Sequence, residues 1–243
     1  MTVATQAPAR KTAAAAKKAA AAEAPAKPRS TPDRVADAIS KGILTRRFTV
    51  GQRLVEADLT RDLGVSRSTV REALRILASS GVVDLTPHRG AVIRSLSRED
   101  AASLLGVLEV LTGLAARLAA TNIRIGNNAK RFEAAAQTLI SANTPEALDR
   151  VLDGRANYYR VMFEIADSSE LSRVLPQARA HLFRAQFYNF LTTADLRSMV
   201  AEYRGITEAI LEGDPVKAEA RTRKHLQKSG ERTLPRMSGF SLA

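Results

Sequence analysis

The sequence contains no cysteine and only three histidines in 243 residues. The first absence excludes disulfides, thiolate zinc sites and cysteine nucleophiles, and it fits a reducing compartment. There is no nucleophile–base pairing, no phosphate-binding glycine loop and no metalloprotease His pair, so the chain is not read as an enzyme. No uninterrupted apolar run approaches the roughly 20 residues of a membrane-spanning helix. No apolar core follows the basic N-terminal residues, as it would in a secretory signal. A cytoplasmic protein with no membrane partner is the expectation. Acidic residues are also in short supply, 25 against 37 Lys+Arg for a net charge of +12. That balance favours an anionic partner, with nucleic acid first among them.

What is present divides into parts. Residues 1–30 are Ala-, Lys- and Pro-rich (KTAAAAKKAAAAEAPAKP), with six cations and one acid. They read as a solvated, disordered tail, or as a non-specific DNA-affinity arm. Order is expected to begin around Ser30-Thr31-Pro32-Asp33, with Thr31 as N-cap and Pro32 at the first helical position. Val35, Ile39 and Ile43 recur every four residues and mark a buried helical face. The FTVGQRL turn pivots on Gly51. A short helix follows over 56–63, ended by Gly64, and Ser66 caps a third. Val70, Leu74 and Leu77 give that helix its apolar stripe. Two strand-like runs, 82–85 and 91–93, flank a PHRG tip. Three helices and a two-stranded wing make a winged helix-turn-helix over 31–95.

From Ser97 to about Arg232 the pattern is helical throughout. Six helices are predicted, at about 98–121, 127–141, 145–166, 169–189, 193–212 and 215–231, with 233–243 a C-terminal tail. No repeat is evident. The fold class is thus mainly α, a winged helix-turn-helix followed by an all-α six-helix bundle over 97–232.

The winged segment carries the sharpest chemistry. Arg67 and Arg71 lie four apart near a helix start and project from one face. Arginine pairs bidentately with guanine O6 and N7, worth roughly 1–3 kcal/mol of discrimination. Ser66, Ser68 and Thr69 can donate to phosphates at the same helix end. His88, Arg89 and Gly90 form the wing tip, where Arg89 can enter a minor groove and Gly90 permits close backbone approach. A surface helix with ordinary solvated arginines is the bland alternative, and the helix order and the wing weigh against it.

Residues 33–94, through VGQRLVEADLTRDLGVSRSTVREALRILASSGVV and HRGAVI, resemble the DNA-binding domain of the GntR family of bacterial transcription regulators. That family usually has a proline before the turn glycine, where Thr49-Val50 stand here. The helical remainder resembles the FCD effector domain of the FadR/VanR branch, through GLAARLAA, YYRVMFEIADSSEL, ITEAILEGD and KAEARTRKHL. The resemblance implies base reading by Arg67 and Arg71, backbone contacts by Ser66, Ser68 and Thr69, and wing contacts by His88, Arg89 and Gly90. It also implies a homodimer on a palindromic operator, joined mostly through the helical domain, that represses until a ligand releases it.

Many FCD domains hold a divalent metal through one Asp and three His. Laid onto this sequence, those positions become Arg155, Tyr159, Tyr203 and His225. An arginine and two tyrosines cannot hold zinc in the usual way, so no metal and no cofactor are expected. A fixed guanidinium instead binds a carboxylate or phosphate directly. Arg155, with Tyr159, Tyr203 and His225 adding hydrogen bonds, therefore reads as a site for a small anionic effector, with Arg184 and Gln186 as further candidate pocket residues. The competing possibility is that Arg155 pairs internally with Glu164 or Glu202 and the pocket is vestigial. In that case the chain is an architectural DNA-binding protein. His181, Asp153 and Glu164 read as structural or solvated.

Overall fold

A computed structural model describes residues 30–86, 90–141, 148–187 and 190–237. Its N-terminal half runs α1 (Thr31–Leu44), β1 (Arg53–Leu54), α2 (Glu56–Leu63), α3 (Arg67–Ser79), β2 (Val83–Thr86) and β3 (Gly90–Ile93). The helical half runs α4 (Arg98–Asn122), α5 (Asn128–Ile140), α6 (Leu148–Ala166), α7 (Ser169–Val174), α8 (Gln177–Phe187), α9 (Thr193–Glu212) and α10 (Pro215–Thr233). A 3₁₀ turn, Leu234–Met237, follows.

Local chemistry sets the helix ends. Ser30, not Thr31, is the N-cap of α1: its hydroxyl accepts from the Asp33 amide, and the Asp33 carboxylate returns the bond to the Ser30 amide. This reciprocal box satisfies two amides at once and so outranks a threonine one position inside. Gly64 closes α2 with φ +64°, a left-handed cap that a side chain would disfavour. The Ser66 hydroxyl accepts from the Thr69 amide and starts α3.

Two expectations need correction. The wing has three strands: Arg53 and Leu54 pair with Val92 and Ala91, giving the antiparallel order β1-β3-β2. A two-residue strand is too short to leave an alternation pattern. The helix expected over 169–189 is two helices, because Pro176 lacks the amide proton and forces Leu175 to an extended ψ of 121°. The rest of that expected range, 188–189, lies outside the described residues.

The buried side chains form two clusters. One fills the helical bundle around Phe132, Leu139, Tyr158, Met162, Tyr203 and Ile210. The other crosses the two halves. Ile39 and Ile43 of α1, Leu74 and Leu77 of α3 and Ile93 of β3 share it with Leu104 and Leu108 of α4 and with Leu182, Phe183 and Phe187 of α8. Helix α8 packs against α1, and Gln186 clamps the linker. Its Oε1 accepts from the Leu96 amide at 2.9 Å, and its Nε2 donates to the Leu96 carbonyl at 3.0 Å. Helix α4 is long and apolar enough to cross a bilayer, yet half of its most apolar stretch is buried inside the protein.

Leu182 is fully buried in the shared cluster. Leu182→Ala should therefore cost about 2–5 kcal/mol and lower one common melting transition, followed by circular dichroism. A biphasic melt with only one phase shifted would mean the halves unfold independently.

Candidate functional site

Two sites stand out, one on each half. On the first, the start of α3 presents Ser66, Arg67, Ser68 and Arg71 to solvent, with Thr69 partly covered. Ser66 Oγ lies 2.8 Å from both Ser68 Oγ and Thr69 Oγ1, so three hydroxyls gather at a helix N-terminus, where an anion is favoured. Arg71 Nε donates to Glu56 Oε2 at 2.9 Å across an exposed gap. Such a pair is worth little in water and is readily exchanged for another acceptor. Arg67 has no ion pair among the described residues. Gly90 takes φ +79°, and the Arg53 guanidinium of β1 stands 3.8 Å from where its Cβ would be. Arg53 is a wing cation the sequence reading missed. His88 and Arg89 lie outside the described residues.

The second site lies in the helical bundle. Arg155 and Tyr159, four apart on α6, share a face. They meet Tyr203 of α9 and His225 of α10, which is fully buried. Arg155 Nε donates to the Tyr203 hydroxyl at 2.9 Å; that hydroxyl is 3.1 Å from Tyr159 Oη and 3.1 Å from His225 Nε2. Burial pushes the His225 pKa down, so the ring is neutral, and Nδ1 sits 2.7 Å from Glu202 Oε2. The proton arrangement follows: His225 Nδ1–H donates to Glu202, Tyr203 donates to Nε2, and Tyr203 accepts from Arg155 and Tyr159. Glu202 is further held by Arg232, and its carboxyl is depressed to about 2. Burial works against that shift, while His225 and Arg232 outweigh it.

Arg184 of α8 completes the group, its guanidinium carbon 4.9 Å from the Tyr159 ring centroid. Neither Arg155 nor Arg184 meets a carboxylate among the described residues. Glu164 is taken by Arg131 and Arg160, both at 2.6 Å, and Glu202 by His225, Arg232 and Lys228. The internal pairing of Arg155 considered above is thus not made. Burial, and then the nearby Arg155 charge, push the Arg184 pKa down. At Arg155 burial also opposes the charge, but the Tyr203 and Tyr159 hydroxyls outweigh it and hold its pKa up. Both arginines line a cleft of about 30 Å³, closed by Phe183, Phe187, Leu191 and Met199. That is room for one or two waters.

The residues do not fit a metal. Arg155 carries positive charge where a carboxylate ligand would stand, and both ring nitrogens of His225 are already committed. Among the described residues, no three of His, Cys, Asp and Glu converge as a metal site. Gln186 faces away from this cleft, toward the linker. His181 lies between the halves, its pKa pushed down to about 3 by burial and by the charges of Arg184 and Lys41, and its Nδ1 has no partner among the described residues. Of the remaining candidates, Glu164 is ion-paired at the surface, and the Asp153 side chain lies outside the described residues.

Both halves of the chain match known protein families. Residues 31–93 match the family model described as bacterial regulatory proteins, gntR family, and residues 103–228 match the FCD domain. The chain is 26% identical over 198 residues to a probable D-xylose utilization operon transcriptional repressor of Paenarthrobacter nicotinovorans, covering 79% of this chain and 84% of that one. It is 23% identical over 181 residues to the transcriptional repressor RspR of Escherichia coli, covering 74% and 79%. Among solved structures it superposes on E. coli McbR/YncC with a TM-score of 0.74 at 16% identity, over 87% of this chain and all of that one.

Glu202 supplies a pH signature. Its carboxyl falls from the ordinary 4.5 to about 2 on folding, worth about 3 kcal/mol that is fully present above pH 4.5 and lost as pH falls toward 2. Glu202→Gln should cost about that much at pH 7, and the gap to wild type should close between pH 4.5 and 2 in denaturant melts. A gap that stays constant with pH would place the stabilisation elsewhere.

Proposed function

The chain belongs to the GntR family of bacterial regulatory proteins, with an FCD domain after its winged helix. On that premise we propose that it is a sequence-specific repressor that binds a palindromic operator as a homodimer and releases it when a small carboxylate enters the Arg155–Arg184 cleft. The observation that carries the effector half is the pair of guanidiniums packed on one tyrosine cluster, neither of which meets a carboxylate among the described residues. A carboxylate fits because one planar anion can accept from both forks while the tyrosine hydroxyls orient it. The division into a DNA-binding part, 31–95, and an effector-binding part, 97–232, follows the same reading, and so does a cytoplasmic location.

The coupling follows from who shares a wall. The cleft holds about 30 Å³, so even a two-carbon acid has to widen it. The movable wall is α8, through Phe183 and Phe187. The same helix packs on α1 and holds the linker through Gln186. An effector that shifts α8 therefore shifts the seat of the DNA-binding half, and the operator-competent geometry becomes the minor one.

Two copies are supported by α4, which leaves Val107 48%, Val110 54% and Leu114 39% exposed along one stripe. An apolar row of this kind on a soluble helix marks an association surface. Joining two chains there sets two copies of α3 about a two-fold axis, as an inverted repeat requires.

Selection from a random duplex pool at physiological salt should recover a short inverted repeat. Arg67→Ala or Arg71→Ala should each weaken binding to it by roughly 1–3 kcal/mol, with a much smaller loss on random DNA. Equal losses on both would contradict base reading, and enrichment without a motif would favour an architectural role. For the effector site, Arg184→Met keeps packing area on Tyr159 but removes one of two like charges. It should leave stability unchanged or raise it by about 1 kcal/mol in anion-free buffer, while abolishing any response of operator binding to carboxylates. A clear loss of stability would make Arg184 structural instead.

A further inference from the structure

We propose that the joint between the DNA-binding half and the helical half is a second ligand site, for a small amphipathic anion with a ring-sized apolar body. The joint encloses about 250 Å³, against about 30 Å³ in the arginine cleft. That approaches the lower end, about 300 Å³, of cavities that hold drug-sized ligands. Its walls come from every part that must move together: Ile43 and Phe48 from the end of α1 and the loop after it, Leu96 from the linker, Ala185 and Phe187 from α8, and Met237 from the final turn.

The chemistry of the lining selects the ligand. Four neutral polar side chains line the wall and all are engaged, Ser95 by accepting from Gln186 Nε2 at 3.4 Å. Gln186 is bonded to Leu96, the Ser97 hydroxyl accepts from the Asp100 amide at 3.0 Å, and the Thr49 hydroxyl donates to Gln52 Oε1 at 3.4 Å. The interior is left mostly apolar and offers water few partners, so it favours a hydrocarbon or aromatic body over solvent. The rim is positive. Arg98 lines it, is exposed, and makes no ion pair or hydrogen bond with any described residue; Arg46 lines it as well. A carboxylate or sulfonate on one end of the ligand meets that guanidinium in water while the body is buried.

The site is distinct from the arginine cleft and shares one wall with it, Phe187. A body seated in the joint braces Phe187, which also walls the cleft. It therefore acts on the same helix as an anion bound at Arg155 and Arg184, and the two ligands are coupled through α8.

The full chain titrated with 1-anilinonaphthalene-8-sulfonate under native conditions tests this directly, because that probe joins a ring system to a sulfonate. One probe per chain should bind with a blue-shifted emission. Ala185→Phe fills the joint from α8 and Met237→Trp from the final turn. Each should weaken the probe by about tenfold or more with the far-ultraviolet spectrum unchanged. Arg98→Ala should weaken it by about fivefold. Binding should persist in Arg184→Met, so failure of the arginine-cleft reading is told apart from failure of this one. A wild-type chain that binds no probe, or an affinity that neither filling variant lowers, overturns the proposal; if Ala185→Phe unfolds, Met237→Trp decides.

Discussion

Two like charges drawn from water into one cleft set the terms for the helical half. Arg155 and Arg184 each lose hydration on packing against the tyrosine cluster; the Arg155 charge adds to the burial that pushes the Arg184 pKa down, while the Tyr203 and Tyr159 hydroxyls hold the Arg155 pKa up. A buried cation without a counter-charge is expensive, so such pairs persist where an anion completes them. The protein surrounds the pair with groups whose protons are already assigned, from Tyr159 through Tyr203 and His225 to Glu202. That chain fixes the ring orientations and leaves the guanidinium forks as the donors available to a ligand.

The same constraint explains why α8 matters. A cleft of water size gives an anion no room unless a wall moves, and the wall is one face of α8. Its other face is fixed to the DNA-binding half by the shared apolar cluster and by Gln186. In the proposed mechanism, effector entry and operator geometry are alternatives for the position of one short helix, bounded by Pro176 at one end. Packed helices change between discrete arrangements rather than deforming smoothly, which in that mechanism would turn a small displacement into a switch. On the DNA side, Arg71 rests on Glu56 through one weak surface pair, so the base reading proposed for it has little to break locally.

Much of this was legible in the sequence. Helix periodicity, the Ser66 cap and the Gly64 stop placed α2 and α3 correctly, because those signals are local. The resemblance to FCD domains brought Arg155, Tyr159, Tyr203 and His225 to one site, where the structure also sets them. What failed was either too short or too distant. Strand β1 is two residues long, and Thr31 lost the cap to Ser30 because only the three-residue spacing to Asp33 decides it. Pro176 was passed over inside a run that otherwise looked helical. The Glu202–Arg232 pair spans 30 residues and two helices, and the facing of Gln186 depends on how α8 sits on the linker. No local pattern encodes either contact.

The proposal that the two arginines form an anion receptor is measured most directly by thermal unfolding. Formate, acetate, larger carboxylates and phosphate are titrated into the wild-type chain at constant ionic strength. The account expects at least one of them to raise stability saturably, reaching about 2.7 kcal/mol at a hundredfold excess over its Kd. Midpoints that follow ionic strength alone, for every anion tried, would contradict it.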